Sequence, residues 1–309
     1  MKPRITVVGS VNMDLVFRTP RMPAVGETLH GHEFRQIPGG KGANQAVAAA
    51  RQGAQVSFIG AVGDDGFGSF SHQCLAAEGM ELSHLAKVAG VATGVAGILV
   101  DDNGNNSIVL AAGANATLTS AQVEAATATI AGAQLLVCQL ETPLATVTRA
   151  IEIAHAKGVK VILNPAPAQD LSDALLAQVD YLILNETEAS QLSGVTVVDQ
   201  ASAKAASEQI LQRGTATVLL TMGEHGALIT DSTGSQFIPA VKVDVVDTTA
   251  AGDTFVGAFA VGIANGLSLI DASREAQYTA ALTVTKLGAQ TSIPQRQQVL
   301  EFMAVGKAA

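Results

Sequence analysis

The sequence predicts an α/β fold: a doubly wound, mostly parallel central sheet flanked by helices, with a small antiparallel β-sheet as a lid. Three observations predict it. Short β-branched runs alternate with longer helical patterns along most of the chain. Each run is apolar at nearly every position, as in strands covered on both faces. Two segments break that rhythm, one with alternating residues and one with a hairpin turn signal.

In chain order, Ile5–Val8, Val56–Gly60, Leu135–Gln139, Val159–Leu163, Tyr181–Leu184 and Val218–Met222 read as the buried strands. Helices fall between them. Asn44–Gln52 is alanine-rich and stops at Gly53. Thr119–Ala131 opens with Thr119 and Gln122, which fits a capping box. Pro143–Lys157 has proline at its start and Gly158 after its end. Ala201–Arg213 closes at Gly214. A last apolar helix starts near Gly252 and stops at Asn265-Gly266. The interruptions are about 13–36, with no helix signal, and about 93–111, where Asn103-Gly104 marks a hairpin. Together they would form the lid sheet, as a cover over a substrate, a dimerisation surface, both, or a plain decoration. Residues 1–309 would be a single domain carrying that lid.

Composition narrows the function. Hydrophobic residues make up 48%, charged residues 15%, and there is no tryptophan, so a core of Ala, Val, Leu and Ile is expected. The formal net charge is −9 and no Lys/Arg block interrupts it, which argues against a nucleic-acid partner. A phosphate ligand must then be held by local devices. The apolar run in "MKPRITVVGS" is too short for a signal peptide, and no stretch approaches the ~20 apolar residues of a membrane span. No membrane partner and a cytoplasmic location are therefore expected. Cys74 and Cys138 have no metal-type spacing and read as small hydrophobes in a reducing compartment. His30 and His32 share a face in an expected strand, without a third ligand, and read as solvated surface.

The motifs gather polar groups at strand ends. "GGKGANQ" is no P-loop, because Gly42 and not Ser or Thr follows Lys41. No G-x-G-x-x-G follows a strand either, which disfavours a dehydrogenase. What remains is a glycine turn that lets backbone approach a ligand, followed by a helix starting near Ala43–Asn44. The Asn44 amide would cap that helix or hold a hydroxyl. In "GSVNMD", Asn12 and Asp14 share a face of an extended stretch and suit a polyol, or form an Asx turn. Glu141, Asn164, Asn185 with Glu188, and Thr221 with Gly223 and Gly226 each follow a strand. Any one of them reads as a turn or cap; their convergence marks one long site at the carboxyl edge of the sheet. In "DTTAAGDTF", Ala250, Ala251 and Gly252 lack bulk, so their N–H groups can surround an oxygen at a positive helix end. Asp253 sits inside that cradle, or is an ordinary N-terminal helix carboxylate.

"GGKGANQAVAAARQGAQVSFIGAVGDDGFG" and "DTTAAGDTFVGAF" resemble the two signatures of the ribokinase-like (PfkB) carbohydrate kinase family. "GSVNMD", "AGANATLT", "QLETP", "LNPAPA", "NETEA" and "KLGAQTSIP" fall in the same order, so the resemblance covers nearly the whole chain. It implies an ATP-dependent sugar kinase that phosphorylates D-ribose at the 5-hydroxyl. The sugar site would use Asn12, Asp14, Gly40, Lys41, Gly42, Ala43, Asn44 and Glu141. Asp253 would be the base, and Ala250 to Asp253 the anion hole. ATP would lie along Asn185, Thr221, Met222, Gly223, Glu224, His225, Gly226, Gly252, Asp253 and Gln277. Glu188 would help place Mg²⁺ through water. K⁺ would be held by Asp247, Thr249, Thr283, Lys286, Gly288 and Ser292, several through carbonyls. A homodimer through the lid sheet is also implied. The sequence departs from the wider family at Ala250, where Gly is frequent, at Gln277, where His is often found, and at Lys286, where Arg is frequent. Alternatives are a kinase of 2-deoxyribose, another sugar or a nucleoside, and a non-catalytic sugar-binding regulator.

Overall fold

The computed structural model describes residues 2–306. The first half runs β1 (Arg4–Val8), β2 (Asn12–Thr19), β3 (Glu33–Gly39), α1 (Lys41–Arg51), β4 (Gln55–Gly63), α2 (Gly66–Ala77) and β5 (Glu81–Val88). Then come β6 (Gly94–Asp101), β7 (Asn106–Ala111), α3 (Ser120–Ala125), α4 (Thr127–Ala131), β8 (Leu135–Cys138) and α5 (Leu144–Ala156). The second half holds β9 (Lys160–Leu163), α6 (Asp173–Leu176), β10 (Tyr181–Asn185), α7 (Glu186–Ser193), α8 (Gln200–Gln212) and β11 (Thr217–Thr221). It closes with β12 (Ala227–Asp231), β13 (Gly234–Ile238), α9 (Ala251–Ala264), α10 (Leu269–Val284) and α11 (Arg296–Gly306).

Nine strands form the main sheet, in the order β13-β12-β11-β10-β9-β8-β1-β4-β5. Every pairing from β11 across to β5 is parallel; only the β11-β12-β13 edge is antiparallel. The expected α/β fold is therefore present. Alternation explains the apolar runs. Leu135, Val137, Tyr181 and Ile183 pack on one face with α1, α9 and α10. Leu136, Cys138, Leu182 and Leu184 pack on the other with α5 and α8. Each face is a core, so a buried polar strand residue needs a partner, as Thr6 finds in the Thr129 carbonyl at 3.3 Å. Cys138 is free and buried in this way, whereas Cys74 is only partly buried.

The lid is a second sheet, ordered β3-β2-β6-β7. Its outer pairs are antiparallel, as expected, while the central β2–β6 pair runs parallel. A crossover through β4, α2 and β5 separates those two strands in sequence, which is the connection a parallel pair needs. The hairpin turns at Gly104, with φ +83°, and the Asp101 carboxylate ties it by accepting from the Asn103 and Asn105 N–H groups.

Local differences from the sequence reading have local causes. The predicted helix 119–131 has its Thr119/Gln122 capping box, but it breaks into α3 and α4. There the Ala126 N–H bonds back three residues to Val123, and the Thr127 hydroxyl takes the Glu124 carbonyl. His30 and His32 are exposed as expected, but both precede β3. Edge strand β5 and the β12–β13 hairpin are additions the reading did not contain.

Candidate active site

Small residues set the geometry. Helices α1 and α9 meet at Gly257, where a Cβ would stand 2.5 Å from both the Ala48 Cβ and the Gln45 carbonyl oxygen. That close approach brings the first turn of α1 to the first turn of α9. The turn before α1 is equally tight. Gly40 has φ +90°, and a Cβ there would lie 2.7 Å from the Asn12 nitrogen. A Cβ on Gly42 would lie 2.4 Å from the Ser10 nitrogen. Here only glycine lets β1, β2 and α1 share one corner.

Asp253 stands at that meeting point, 8% exposed. Its Oδ2 accepts from Asn44 Nδ2 at 2.9 Å and its Oδ1 from Gln45 Nε2 at 3.0 Å. Asn44 thus does not cap α1, whose N-cap is Gly40 with no side-chain bond. Its Oδ1 is buried without a donor, which leaves an acceptor for a hydroxyl.

Three carboxylates and one ammonium surround the corner. Glu141 Oε2 accepts from Ser10 Oγ at 2.6 Å, Asn12 Nδ2 at 3.4 Å and Lys41 N at 3.1 Å. Among the described residues no donor reaches its Oε1. Burial raises the Glu141 pKa above the ordinary range, against the Ser10 hydroxyl and the Lys41 charge. Asp14 has no donor at all among the described residues. Burial, then Glu141 and Asp253, push it up to about 7. Burial alone would lower Lys41, but Asp253, Glu141 and Glu188 outweigh it and raise its pKa. Such half-satisfied carboxylates are suited to alcohol groups that bring their own donors.

A cavity of about 230 Å³ opens beside Asp253. Lys41, Asn185, Glu188, Thr221 and the Ala250–Gly252 turn line it. Ala250 is left-handed at φ 60°, alone among described non-glycine residues, a strain of about 1–3 kcal/mol that functional turns tolerate. The Ala251 N–H is not free, because it bonds to Thr248 O at 3.2 Å. Those of Gly252 and Asp253 have no acceptor among the described residues, and a Cβ on Gly252 would meet nothing within 4 Å. The anion cradle is therefore narrower than the sequence suggested, and it opens into the cavity.

The remaining expected ligands are placed unevenly. Asn185 and Glu188 form a capping box on α7: Asn185 Oδ1 accepts from the Glu188 N–H and Glu188 Oε2 from the Asn185 N–H. One Glu188 oxygen is left over, which fits a water-mediated contact to Mg²⁺ and not a direct cage. Thr221 lines the cavity, Met222 is buried, and Gly223, Glu224 and His225 form an exposed 3₁₀ turn. Gly226 at φ +107° abuts the Ile238 carbonyl, the same group that accepts from Gln277 Nε2 at 3.2 Å. Gln277 thus neighbours the turn but does not line the cavity.

The 247–249 loop lies against residues 284–292. Asp247 Oδ1 accepts from the Thr249 N–H and hydroxyl, and its Oδ2 from the Gly288 N–H at 2.9 Å. Burial works against them, but these donors hold the Asp247 carboxyl below the ordinary range. The Thr283 hydroxyl bonds to Thr279 O, and the Ser292 hydroxyl to Ala289 O. Both hydroxyls donate here and keep their oxygen lone pairs for a further partner. Among the described residues no group of three or more His, Cys, Asp or Glu could hold a metal ion.

Sequence reasoning missed the supporting amides. Asn115 brackets Val11, accepting from its N–H at 2.8 Å and donating to its carbonyl at 3.0 Å. It also donates to Asn12 Oδ1 at 2.7 Å. Ser10, Gln45 and Gln139 likewise act across long stretches of chain. Asn115 and Gln45 lie in the quoted motifs, but nothing in their spacing names a partner.

Comparison with known proteins identifies the family. Residues 2–296 match the pfkB family carbohydrate kinase. A ribokinase of Haemophilus influenzae is 46% identical over 98% of this chain and 99% of its own. A deoxyribokinase of Salmonella typhi is 38% identical, over 98% of this chain and 99% of its own. The solved Arabidopsis thaliana ribokinase complexed with ribose and ATP superposes with a TM-score of 0.90 at 31% identity, over 98% of this chain and 99% of that one. The chain belongs to the pfkB family of carbohydrate kinases.

Proposed function

We propose that this chain transfers the γ-phosphoryl group of ATP to the 5-hydroxyl of D-ribose. One observation carries the reading: a buried carboxylate, Asp253, is fixed by two amides beside two N–H groups, of Gly252 and Asp253, that have no acceptor among the described residues at the mouth of α9. The sugar would sit among Asn12, Asp14, the Gly40–Asn44 turn and Glu141, where the open carboxylate oxygens receive its hydroxyls. ATP would extend from the Gly252 cradle past Asn185 and Thr221 toward the 222–226 turn and Gln277. Asp253 takes the 5-hydroxyl proton as that oxygen bonds to the γ-phosphorus, the bond to the bridging oxygen breaks, and ADP leaves. The Gly252 and Asp253 N–H groups meet the charge that gathers on the transferred group.

Mg²⁺, when bound, neutralises phosphate charge; Glu188 would orient one of its waters. K⁺ would sit against the carbonyls of the 247–249 and 283–292 segments, steadying the loop that leads into Ala250. The lid sheet would close over the sugar and pair two copies. Its Phe17, Phe34 and Val109 are exposed and share one face by strand register, with the Phe17 and Phe34 rings 4.8 Å apart and tilted by 35°; an apolar face of this kind favours a partner surface. No helix among the described residues is long and apolar enough to cross a membrane. A cytoplasmic location, where ATP is available, goes with this reading.

A second reading is 2-deoxyribose as substrate, favoured by the similarity to the Salmonella typhi deoxyribokinase. A panel of ribose, deoxyribose, other sugars and nucleosides with coupled ADP detection decides between them. Fastest turnover of ribose supports the proposal, and no turnover of any pentose overturns it.

A further inference from the structure

We infer that Gln45 is a positioning residue for the Asp253 carboxylate, oriented by a chain of amides that begins at the backbone of β10. The inference rests on Asp253 being the group that receives the substrate proton. Gln45 is 1% exposed and does not line the cavity. Its Nε2 donates to Asp253 Oδ1 at 3.0 Å and to Asn164 Oδ1 at 3.1 Å. Its Oε1 accepts from Gln139 Nε2 at 2.6 Å.

Each orientation in this chain follows from the one before. The Ile183 carbonyl can only accept, so Asn164 turns its amino group to it, at 2.8 Å. Asn164 must then offer its oxygen to Gln45. Gln45 in turn must present its NH₂ to Asn164 and Asp253, and its oxygen to Gln139. A flipped Gln45 would set its carbonyl against two acceptors and its NH₂ against a donor. In the observed order both Gln45 hydrogens are spent, one of them on the carboxylate.

Asp253 is thereby clamped on both oxygens, by Asn44 on Oδ2 and Gln45 on Oδ1. The two clamps differ. Asn44 keeps an unpartnered Oδ1 and stands where a sugar hydroxyl would arrive. Gln45 is enclosed, so its effect reaches the substrate only through Asp253. A carboxylate held on one side can swing out of line with the alcohol, and misplacement by about 1 Å costs on the order of 10²-fold in rate.

The test is Gln45→Met, which keeps the chain length and removes the donor. We expect kcat to fall about 10- to 100-fold, the sugar KM to stay within about twofold, and the melting temperature to stay within a few degrees. An unchanged kcat, or a KM rise that accounts for the whole loss, overturns the inference. Should that variant not fold, Gln139→Met decides. It releases the far end of Gln45, and a several-fold loss of kcat at constant KM is expected; unchanged kcat overturns the inference. The wild-type rate separates the two claims. A wild-type chain that phosphorylates no pentose refutes the functional reading, whereas normal wild-type turnover with unimpaired variants refutes only the role of Gln45.

Discussion

Replacing Asp14 with Asn should make the fold more stable at pH 8 and the sugar site weaker. Asp14 is 9% exposed, and no donor in the described chain reaches it. Its pKa rises from about 3.8 to about 7, first through burial and then through the nearby Glu141 and Asp253 charges. A carboxyl raised in this way binds more protons folded than unfolded across that window. Stability therefore falls as pH rises through it, and the penalty is complete above about 7. At 1.36 kcal/mol per pKa unit the full cost is at most about 4 kcal/mol. Asparagine has nearly the same shape and carries no such cost. Urea unfolding of both proteins at pH 5 and pH 8 measures it. The variant's advantage should grow by roughly 1–4 kcal/mol between the two. Its sugar KM should rise about 10- to 100-fold at pH 8, because a charge-assisted hydrogen bond becomes a neutral one. A stability difference independent of pH, or one that favours the wild type more as pH rises, would refute the reasoning.

Gly257→Ala should cost about 1–3 kcal/mol in unfolding experiments, since its Cβ would sit 2.5 Å from Ala48. It should also lower kcat, because the wedge parts Asn44 and Gln45 from Asp253. Turnover should be several-fold faster in K⁺ than in Na⁺-only buffer. Asp247→Ala, which unties the loop from Thr249 and Gly288, should abolish that difference; equal wild-type rates in the two buffers would count against the cation site.

Much of the fold was legible because a two-faced sheet imposes a visible pattern. All six runs read as buried strands are strands of the parallel sheet. Edge strand β5 escaped because it is half-exposed and lacks a continuous apolar run. The parallel centre of the lid could not be read either, since a hairpin signal fixes neighbours in sequence and is silent about β2 meeting β6. At the site, the strand-end rule located Glu141, Asn164, Asn185 and Thr221. It could not show that Glu188 spends one oxygen on capping α7, or that Ala251 gives its N–H to Thr248. The amides behind Asp253 stayed hidden for a related reason. Gln45 and Asp253 lie 208 positions apart, and hydrogen bonds over such separations follow from packing, not from local pattern.

The most direct measurement is ADP release by Asp253→Asn with saturating ribose and ATP, alongside thermal unfolding. A fall in kcat of at least about 10²-fold with a folded protein is expected if this carboxylate receives the substrate proton. Near-normal turnover in that variant would contradict the account.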